Sequence, residues 1–122
     1  MAHWVYLSIA GENRLARYAM DPSDGALRHE GDVPVSGSPG PLTTNSAQTL
    51  LYAGLRSSRE IASYTIDRDT GELTLVGATS LDADPCYIAL DNTDSYLLAS
   101  YYGAGKVTVH RVGADGRLDD EL

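Results

Sequence analysis

The 122-residue chain lacks most features that mark a membrane, secreted or disulfide-bonded protein. Its apolar runs, such as "WVYLSIA" and "TLLYAGL", are far shorter than the ~18 apolar residues of a membrane span. The first residues, "MAHWVYLSIAGENR", include no basic leader or small-residue cleavage site, so we expect a cytoplasmic protein. A single cysteine, Cys86, excludes an intramolecular disulfide, and we expect it to be a buried structural thiol.

Positive charge is also scarce, since 9 Lys and Arg residues stand against 17 Asp and Glu residues, for a net charge of −8. Nucleic acid and anionic membrane surfaces require a basic face, so the composition argues against both partners. The sequence has no H-x-x-H, C-x-x-C, Walker-type or dinucleotide motif, so we expect neither a metal nor a cofactor. Small-molecule chemistry and protein binding remain open.

What the sequence does contain is an internal repeat. Gly25 and Leu27 of "DPSDGAL" recur 46 residues later as Gly71 and Leu73 of "DRDTGEL". A third copy of the turn follows at Gly116 after a slip of one residue. A period of this length indicates a repeat architecture, in which each unit buries its apolar faces against its neighbours.

Each period contains four strand-like segments, which in the complete copy are residues 41–45, 49–55, 60–67 and 72–79. The segments combine period-two alternation with β-branched residues and tyrosine, and Asp, Asn and Gly turns separate them. This pattern predicts antiparallel strands joined by tight turns. No window has a convincing helical stripe, so the predicted fold class is all-β.

Four antiparallel strands at a spacing in the forties are typical of a β-propeller blade. The chain holds about 2.7 such four-stranded blades: a partial first blade over residues 1–34, a full blade over 35–80 and an incomplete blade over 81–122, with no second domain. Propellers close with about four to eight blades. We therefore expect an N-terminal piece of a longer protein, which by itself is inactive and self-associates through open blade edges.

The repeat resembles the lactonase-type seven-bladed β-propellers, which include the bacterial 6-phosphogluconolactonases and the fungal carboxymuconate-cyclising enzymes. The stretches that carry the resemblance are "VYLSIAGENRLARYAMDPSDGAL", "LLYAGLRSSREIASYTIDRDTGELTLVG" and "DADPCYIALDNTDSYLLASYYGAGKVTVHRV". The resemblance implies hydrolysis of 6-phosphogluconolactone to 6-phosphogluconate, a step of the pentose phosphate pathway. The alternatives are a non-catalytic binding propeller and a carboxymuconate-type enzyme acting on a carboxylated lactone.

One face of a propeller is built from the loops between second and third strands and between successive blades, and small-molecule sites favour such channel mouths. Arg56 is the first candidate for binding a phosphate or carboxylate, because it ends a second strand and resembles an arginine of the bacterial lactonases at that place. A guanidinium suits bidentate recognition of either anion. The candidate substrate ligands on this face are Arg14, Arg56, Arg59, Tyr101, Tyr102 and Lys106.

The catalytic base remains unassigned. We expect His3, His29 and His110 to face solvent, because no Ser or carboxylate is positioned around any of them as an activated pair requires. In the family that the sequence resembles, the proposed acid and base residues lie in later blades, so none can be assigned to a position of this chain.

Overall fold

The computed structural model describes residues 3–122, which form eleven β-strands and one short 3-10 turn (Ala10–Glu12). The prediction of an all-β chain is therefore confirmed. The strands are β1 (His3–Ile9), β2 (Arg14–Met20), β3 (Leu27–Pro34), β4 (Pro39–Thr44), β5 (Leu50–Leu55), β6 (Glu60–Ile66), β7 (Leu73–Ser80), β8 (Tyr87–Leu90), β9 (Tyr96–Tyr101), β10 (Lys106–Val112) and β11 (Leu118–Glu121).

The strands form three antiparallel sheets, each a meander in chain order. Blade 1 contains β1 to β3, blade 2 contains β4 to β7, and blade 3 contains β8 to β11. The four segments predicted for the complete repeat coincide with the strands of blade 2 to within two residues at each end. The alternating pattern predicted the strand ends closely, because turn residues bound each alternating run on both sides.

The core lies between the blades, because the middle blade is covered on both sides. Ile61 and Tyr52 of blade 2 pack into one cluster with Leu97 and Tyr101 of blade 3. A second cluster joins Leu15 of blade 1 to the opposite side of blade 2. Alternate residues of β6 therefore serve different interfaces, which explains why β6 is buried on both faces although its sequence alternates.

A repeated hydrogen bond joins each blade to the next. Tyr6 on the second strand of the repeat donates its hydroxyl proton to the carbonyl of Gly71 in the following hairpin, at 2.5 Å. Tyr52, 46 residues later, donates in the same way to the carbonyl of Gly116, at 2.6 Å. Burial raises the pKa of Tyr52 to about 12, so the hydroxyl remains a donor throughout the physiological range.

We call the lower face the end of the sheets that holds the turns between first and second strands and between third and fourth strands, and its acidic residues build these turns. Asp91 illustrates this role, since its carboxylate accepts a hydrogen bond from the Thr93 hydroxyl and others from the backbone N–H groups of Ser95 and Tyr96. These bonds favour the charged form, with the Thr93 hydroxyl as the largest contribution, and lower the pKa of Asp91 to about 2. The acidic composition of this face therefore has a structural cause.

This carboxylate gives a testable pH dependence. The folded-state pKa of Asp91 lies below its ordinary value of 3.8, so its stabilising effect is complete above that value and is lost as the pH falls through about 2. We expect Asp91→Asn to lower the thermal midpoint at neutral pH and to match the parent chain near pH 2. Thermal unfolding of both chains across this range measures the effect.

Asp69→Asn is the control, because Asp69 lies in another acidic turn, the hairpin between β6 and β7, and its carboxylate accepts no hydrogen bond within residues 3–122. The Asp69 variant should follow the parent chain at every pH. A deficit of Asp91→Asn that stayed constant down to about pH 2 would contradict the assigned cause.

Candidate functional site

The loops between second and third strands meet the loops between blades on one face, which we call the upper face. In blades 1 and 2, the N–H of Ser38 donates to the Asn13 side chain and the N–H of Arg56 donates to the carbonyl of Ser38. The N–H of Leu81 donates to the carbonyl of Arg59, which extends the same chain of contacts to blade 3. The upper face is therefore one continuous surface formed by residues 10–13, 35–38, 56–59, 81–86 and 102–105.

Two of the predicted cations on this face are bound to carboxylates from the loop between blades 2 and 3. Arg59 Nε lies 3.0 Å from Asp84 Oδ1, and Lys106 Nζ lies 2.5 Å from Asp82 Oδ1. The hydrogen bond between Lys106 and Asp82 raises the pKa of the ammonium and lowers the pKa of the carboxyl group. Both cations thus already have a carboxylate partner before any ligand arrives.

Arg14 is also paired, but within blade 1. Its guanidinium lies 2.7 Å from Glu12 Oε1 and 2.6 Å from Asp32 Oδ1. The hydrogen bond to Glu12 is the main cause that raises the pKa of Arg14. Arg14 does not line the depression that contains Arg56, so the structure separates it from the other candidates.

Arg56 differs from these three cations. Its guanidinium makes no hydrogen bond or ion pair with any residue of the described range 3–122. Its side chain leans over the innermost strand of blade 2, where a Cβ atom on Gly40 would lie 3.3 Å from Arg56 Cδ. Among the cations of the upper face, Arg56 alone in the described part of the chain can receive an anion without first losing a carboxylate partner.

Arg56 and Arg59 line a depression of about 370 Å³ on the upper face. Carboxylates and a tyrosine complete its wall, and the remaining lining residues are Asp82, Ala83, Asp84, Tyr102, Gly103 and Ala104. A second depression, which contains Lys106, shares Tyr102 with the first. Arg56, Arg59, Lys106 and Tyr102 are therefore brought together by the fold, as adjoining cations around an exposed aromatic ring.

Arg59 occupies a backbone conformation that disfavours its side chain. Its φ of 55° lies in the left-handed region, and the equivalent positions of the other two repeats are Asn13 (φ 50°) and Gly105 (φ 65°). Asparagine and glycine tolerate this region, whereas an arginine there costs about 1 kcal/mol. Backbone strain of this kind clusters at functional sites, and Arg59 lies in the wall of the depression.

The two adjacent tyrosines are placed very differently. Tyr102 is 91 % exposed at the tip of its loop, where its ring is available to a ligand. Tyr101 is buried in the core between blades 2 and 3, and its hydroxyl shares a hydrogen bond with Thr108 at 2.7 Å. Tyr101, a candidate ligand from the sequence, contributes to the wall of the second depression, but its side chain is only 2 % exposed, so its ring is not available to stack on a ligand.

Two other sequence expectations were wrong. His110 is fully buried, with Nε2 3.0 Å from the Thr108 hydroxyl and Nδ1 2.9 Å from the carbonyl of Asp119. The sequence predicted a strand at this position, but it did not show that blade 2 covers the face of the strand on which His110 lies. Cys86 is exposed rather than buried. It precedes β8, the innermost strand of blade 3, and its sulfur accepts a hydrogen bond from the N–H of Tyr102 on the upper face.

No histidine of residues 3–122 lines either depression that contains the upper-face cations. His29, which was expected to face solvent, does so on the outer strand of blade 1, where it contacts Asp32 at 2.9 Å. The described residues include no cluster of three or more His, Cys, Asp or Glu side chains that could hold a metal ion. What this arrangement can do chemically is hold an anion beside an aromatic ring.

Comparison with known proteins identifies relatives of this architecture. The family described as "Lactonase, 7-bladed beta-propeller" matches residues 10–122. A 6-phosphogluconolactonase of Bacillus subtilis is 30% identical over 115 residues, which are 92% of this chain and 33% of the relative. A 6-phosphogluconolactonase of Pectobacterium carotovorum is 34% identical over 90 residues, which are 74% of this chain and 27% of the relative.

The fold has close counterparts among solved structures. A periplasmic gluconolactonase of Pseudomonas aeruginosa superposes with a TM-score of 0.88 at 16% identity, covering 98% of this chain and 38% of that protein. A Lactobacillus plantarum protein superposes with a TM-score of 0.87 at 20% identity, covering 95% of this chain and 36% of that protein. The chain spans about a third of the length of the curated relatives that it matches. No helix in the described range is long and apolar enough to cross a membrane.

Proposed function

The chain belongs to the lactonase family of seven-bladed β-propellers, and on that premise we propose that the full-length protein hydrolyses 6-phosphogluconolactone to 6-phosphogluconate. The names of the bacterial relatives support this substrate. The single observation in this chain that favours a phosphorylated lactone is the unpaired guanidinium of Arg56 in the upper-face depression. A phosphate dianion is one of the anions that such a guanidinium binds through two parallel hydrogen bonds.

Residues 3–122 supply substrate binding in this proposal. Arg56 holds the phosphate, and Tyr102, at the rim of both depressions, covers the apolar face of the sugar. Arg59 and Lys106 keep Asp84 and Asp82 neutralised, which prevents two carboxylates in the same wall from repelling the anion. The strained backbone of Arg59 is consistent with this role, since glycine at that position would lose the ion pair to Asp84.

The reaction itself requires groups beyond those found in the depressions. Water adds to the lactone carbonyl, the ring C–O bond breaks, and the ring oxygen leaves with a proton as a hydroxyl group. This sequence needs a base for the water and a donor for the developing oxyanion. No histidine lines the depressions within residues 3–122, so we propose that other parts of the full-length protein supply the base and that this chain alone is inactive.

The substrate also bears on location. A phosphorylated sugar carries charge that a bilayer excludes, so an enzyme acting on it works in the compartment where the sugar phosphate is made. We therefore propose a cytoplasmic protein that forms part of the oxidative pentose phosphate pathway.

A substrate panel with the full-length protein tests the function. We expect hydrolysis of 6-phosphogluconolactone with a kcat/KM about 10 to 100 times that for the unphosphorylated lactone, because hydrogen bonds to a charged group contribute about 1.5–3 kcal/mol. A preference for a carboxylated muconolactone would instead support the carboxymuconate-type alternative. Binding of sugar or protein without hydrolysis of any lactone would support the non-catalytic alternative.

A further inference from the structure

Arg56 and Tyr102, which both line the upper-face depression, occupy the same position of the repeat, 46 residues apart. In each blade, this position contacts a residue at the start of the innermost strand. That residue is Gly40 in blade 2 and Cys86 in blade 3, which are also 46 residues apart. The two blades thus show the same contact once without and once with a side chain on the innermost strand.

The presence of that side chain changes what fills the space between strand and loop. In blade 3, the sulfur of Cys86 accepts a hydrogen bond from the N–H of Tyr102 at 3.2 Å, and its thiol donates to the carbonyl of Ser100 at 3.3 Å. In blade 2, the stem of Arg56 lies over the strand instead. Its Cδ and Cγ atoms are 3.3 and 3.6 Å from the place that a Cβ atom on Gly40 would occupy.

The backbone on both sides of the contact between Arg56 and Gly40 is held by hydrogen bonds. The N–H of Arg56 donates to the carbonyl of Ser38 at 3.0 Å, and the hydroxyl of Ser8 in blade 1 donates to the carbonyl of Gly40 at 2.8 Å. Gly40 also lies where the register of β4 against β5 shifts, and such irregularities beside functional sites re-aim side chains. A side chain on residue 40 would therefore displace the Arg56 stem rather than the strand.

The packing of this stem is what directs the guanidinium. No hydrogen bond or ion pair within residues 3–122 holds the charged end of Arg56, and a long side chain without such contacts samples many rotamers. A stem packed on a fixed strand removes part of this freedom before a ligand arrives. Binding groups that are ordered in advance lose less entropy when they bind, which increases affinity.

We propose that Gly40 is a positioning residue for Arg56. Because glycine has no side chain, the arginine stem lies on the innermost strand, and the guanidinium is held in the depression where the phosphate of the lactone binds. Gly40 itself touches no ligand, so its effect reaches the ligand through Arg56 alone. The inference rests on the function proposed above, since it names the residue that orients the anion ligand of that site.

Kinetics of the full-length Gly40→Ala protein provide the test. The Arg56 stem must give way by a few tenths of an ångström, so KM for 6-phosphogluconolactone should rise about three- to tenfold with kcat unchanged. Gly40→Cys, which copies the residue of blade 3, should raise KM further. Gly11→Ala is the matched control, since Gly11 lies on the same face and no atom lies within 4 Å of its added Cβ.

A double variant separates positioning from a defect of the fold. In the Arg56→Ala background the stem to be displaced is absent, so Gly40→Ala should cause no further rise in KM. The variants should fold, because the added Cβ on residue 40 meets only the Arg56 stem within 4 Å, and thermal unfolding checks this. A KM equal to that of the parent, or the same rise with and without Arg56, would overturn the proposal.

Calorimetric titration with 6-phosphogluconate and with inorganic phosphate measures binding without reaction. Weaker binding of both ligands by Gly40→Ala, in a protein that hydrolyses no lactone, would contradict the proposed function and support the role of Gly40. Lactone hydrolysis with unchanged affinity for both ligands would support the function and contradict the role of Gly40. A parent protein that binds neither ligand and hydrolyses no lactone would contradict both.

Discussion

Replacing Gly71 by alanine is expected to destabilise the chain by about 2–5 kcal/mol, because two costs add. The first is the left-handed backbone, since the φ of Gly71 is 75° and a side chain there costs about 1–2 kcal/mol. The second is overpacking, because the new Cβ would lie 2.5 Å from Cδ2 of Trp4. The Trp4 ring cannot easily retreat, since its Nε1 donates to the carbonyl of Arg68 and Arg17 stacks on its face.

Two equivalent glycines provide matched controls for this effect. Gly25→Ala imposes the same backbone strain without a steric contact, so it should cost only about 1–2 kcal/mol. Gly116→Ala should fall between them, because its Cβ would meet the methyl groups at the end of the flexible Leu50 side chain, at 2.5 and 3.1 Å. Urea unfolding, followed by circular dichroism, measures the three free energies of unfolding.

A double variant keeps the comparison informative if Gly71→Ala alone fails to fold. Trp4→Ala removes the ring that the new Cβ would strike, so the pair should be more stable than the sum of the single changes predicts. Equal costs at Gly25 and Gly71, or strict additivity of the pair, would show that the hairpin does not pack on blade 1 as described.

Arg56→Ala in the full-length protein should raise KM for 6-phosphogluconolactone by about 10 to 100 times while leaving kcat nearly unchanged. This split is expected because Arg56 is proposed to bind the phosphate equally in the ground state and the transition state. The magnitude corresponds to about 1.5–3 kcal/mol, the contribution of one hydrogen bond to a charged group. Hydrolysis of the unphosphorylated lactone should change little, and initial-rate kinetics with both substrates measure the difference.

Arg56→Lys and Arg68→Ala are the controls for this change. Lysine keeps the charge but loses the bidentate geometry, so its KM should lie between those of the parent and Arg56→Ala. Arg68 lies on the lower face, where it donates to the carbonyl of Ala47, and its removal should leave KM unaltered. Equal losses for the phosphorylated and unphosphorylated lactones would contradict the assignment of Arg56 to the phosphate site. They would not contradict the proposal that the protein is a lactonase.

The sequence predicted the strands well because the same strand pattern recurs in each repeat. The hairpin at Gly71 and the alternation of β6 recur at a fixed spacing. This recurrence distinguishes a structural pattern from a chance one. Burial was harder to predict, as His110 shows. Alternation tells which residues share a face, but not whether another blade covers that face.

The site was only partly predictable for a related reason. Sequence spacing grouped the cations Arg56, Arg59 and Lys106 on one set of loops, and the structure brings them to adjoining depressions. Their pairing with Asp84 and Asp82 depends on how the loops of two blades approach each other in space. No linear pattern distinguishes a paired cation from the unpaired Arg56.

The contact between Tyr52 and the carbonyl of Gly116 also has an evolutionary consequence. The tyrosine recognises a backbone group, which every amino acid possesses, so the neighbouring hairpin needs only glycine and the correct turn. The three residues before that glycine differ between the copies, as "PSD" before Gly25 and "RDT" before Gly71 show, although the last of them accepts a hydrogen bond from the backbone N–H two residues on in both turns. Blades joined in this way can diverge by neutral drift, or exchange by recombination, without losing the means of recognising each other.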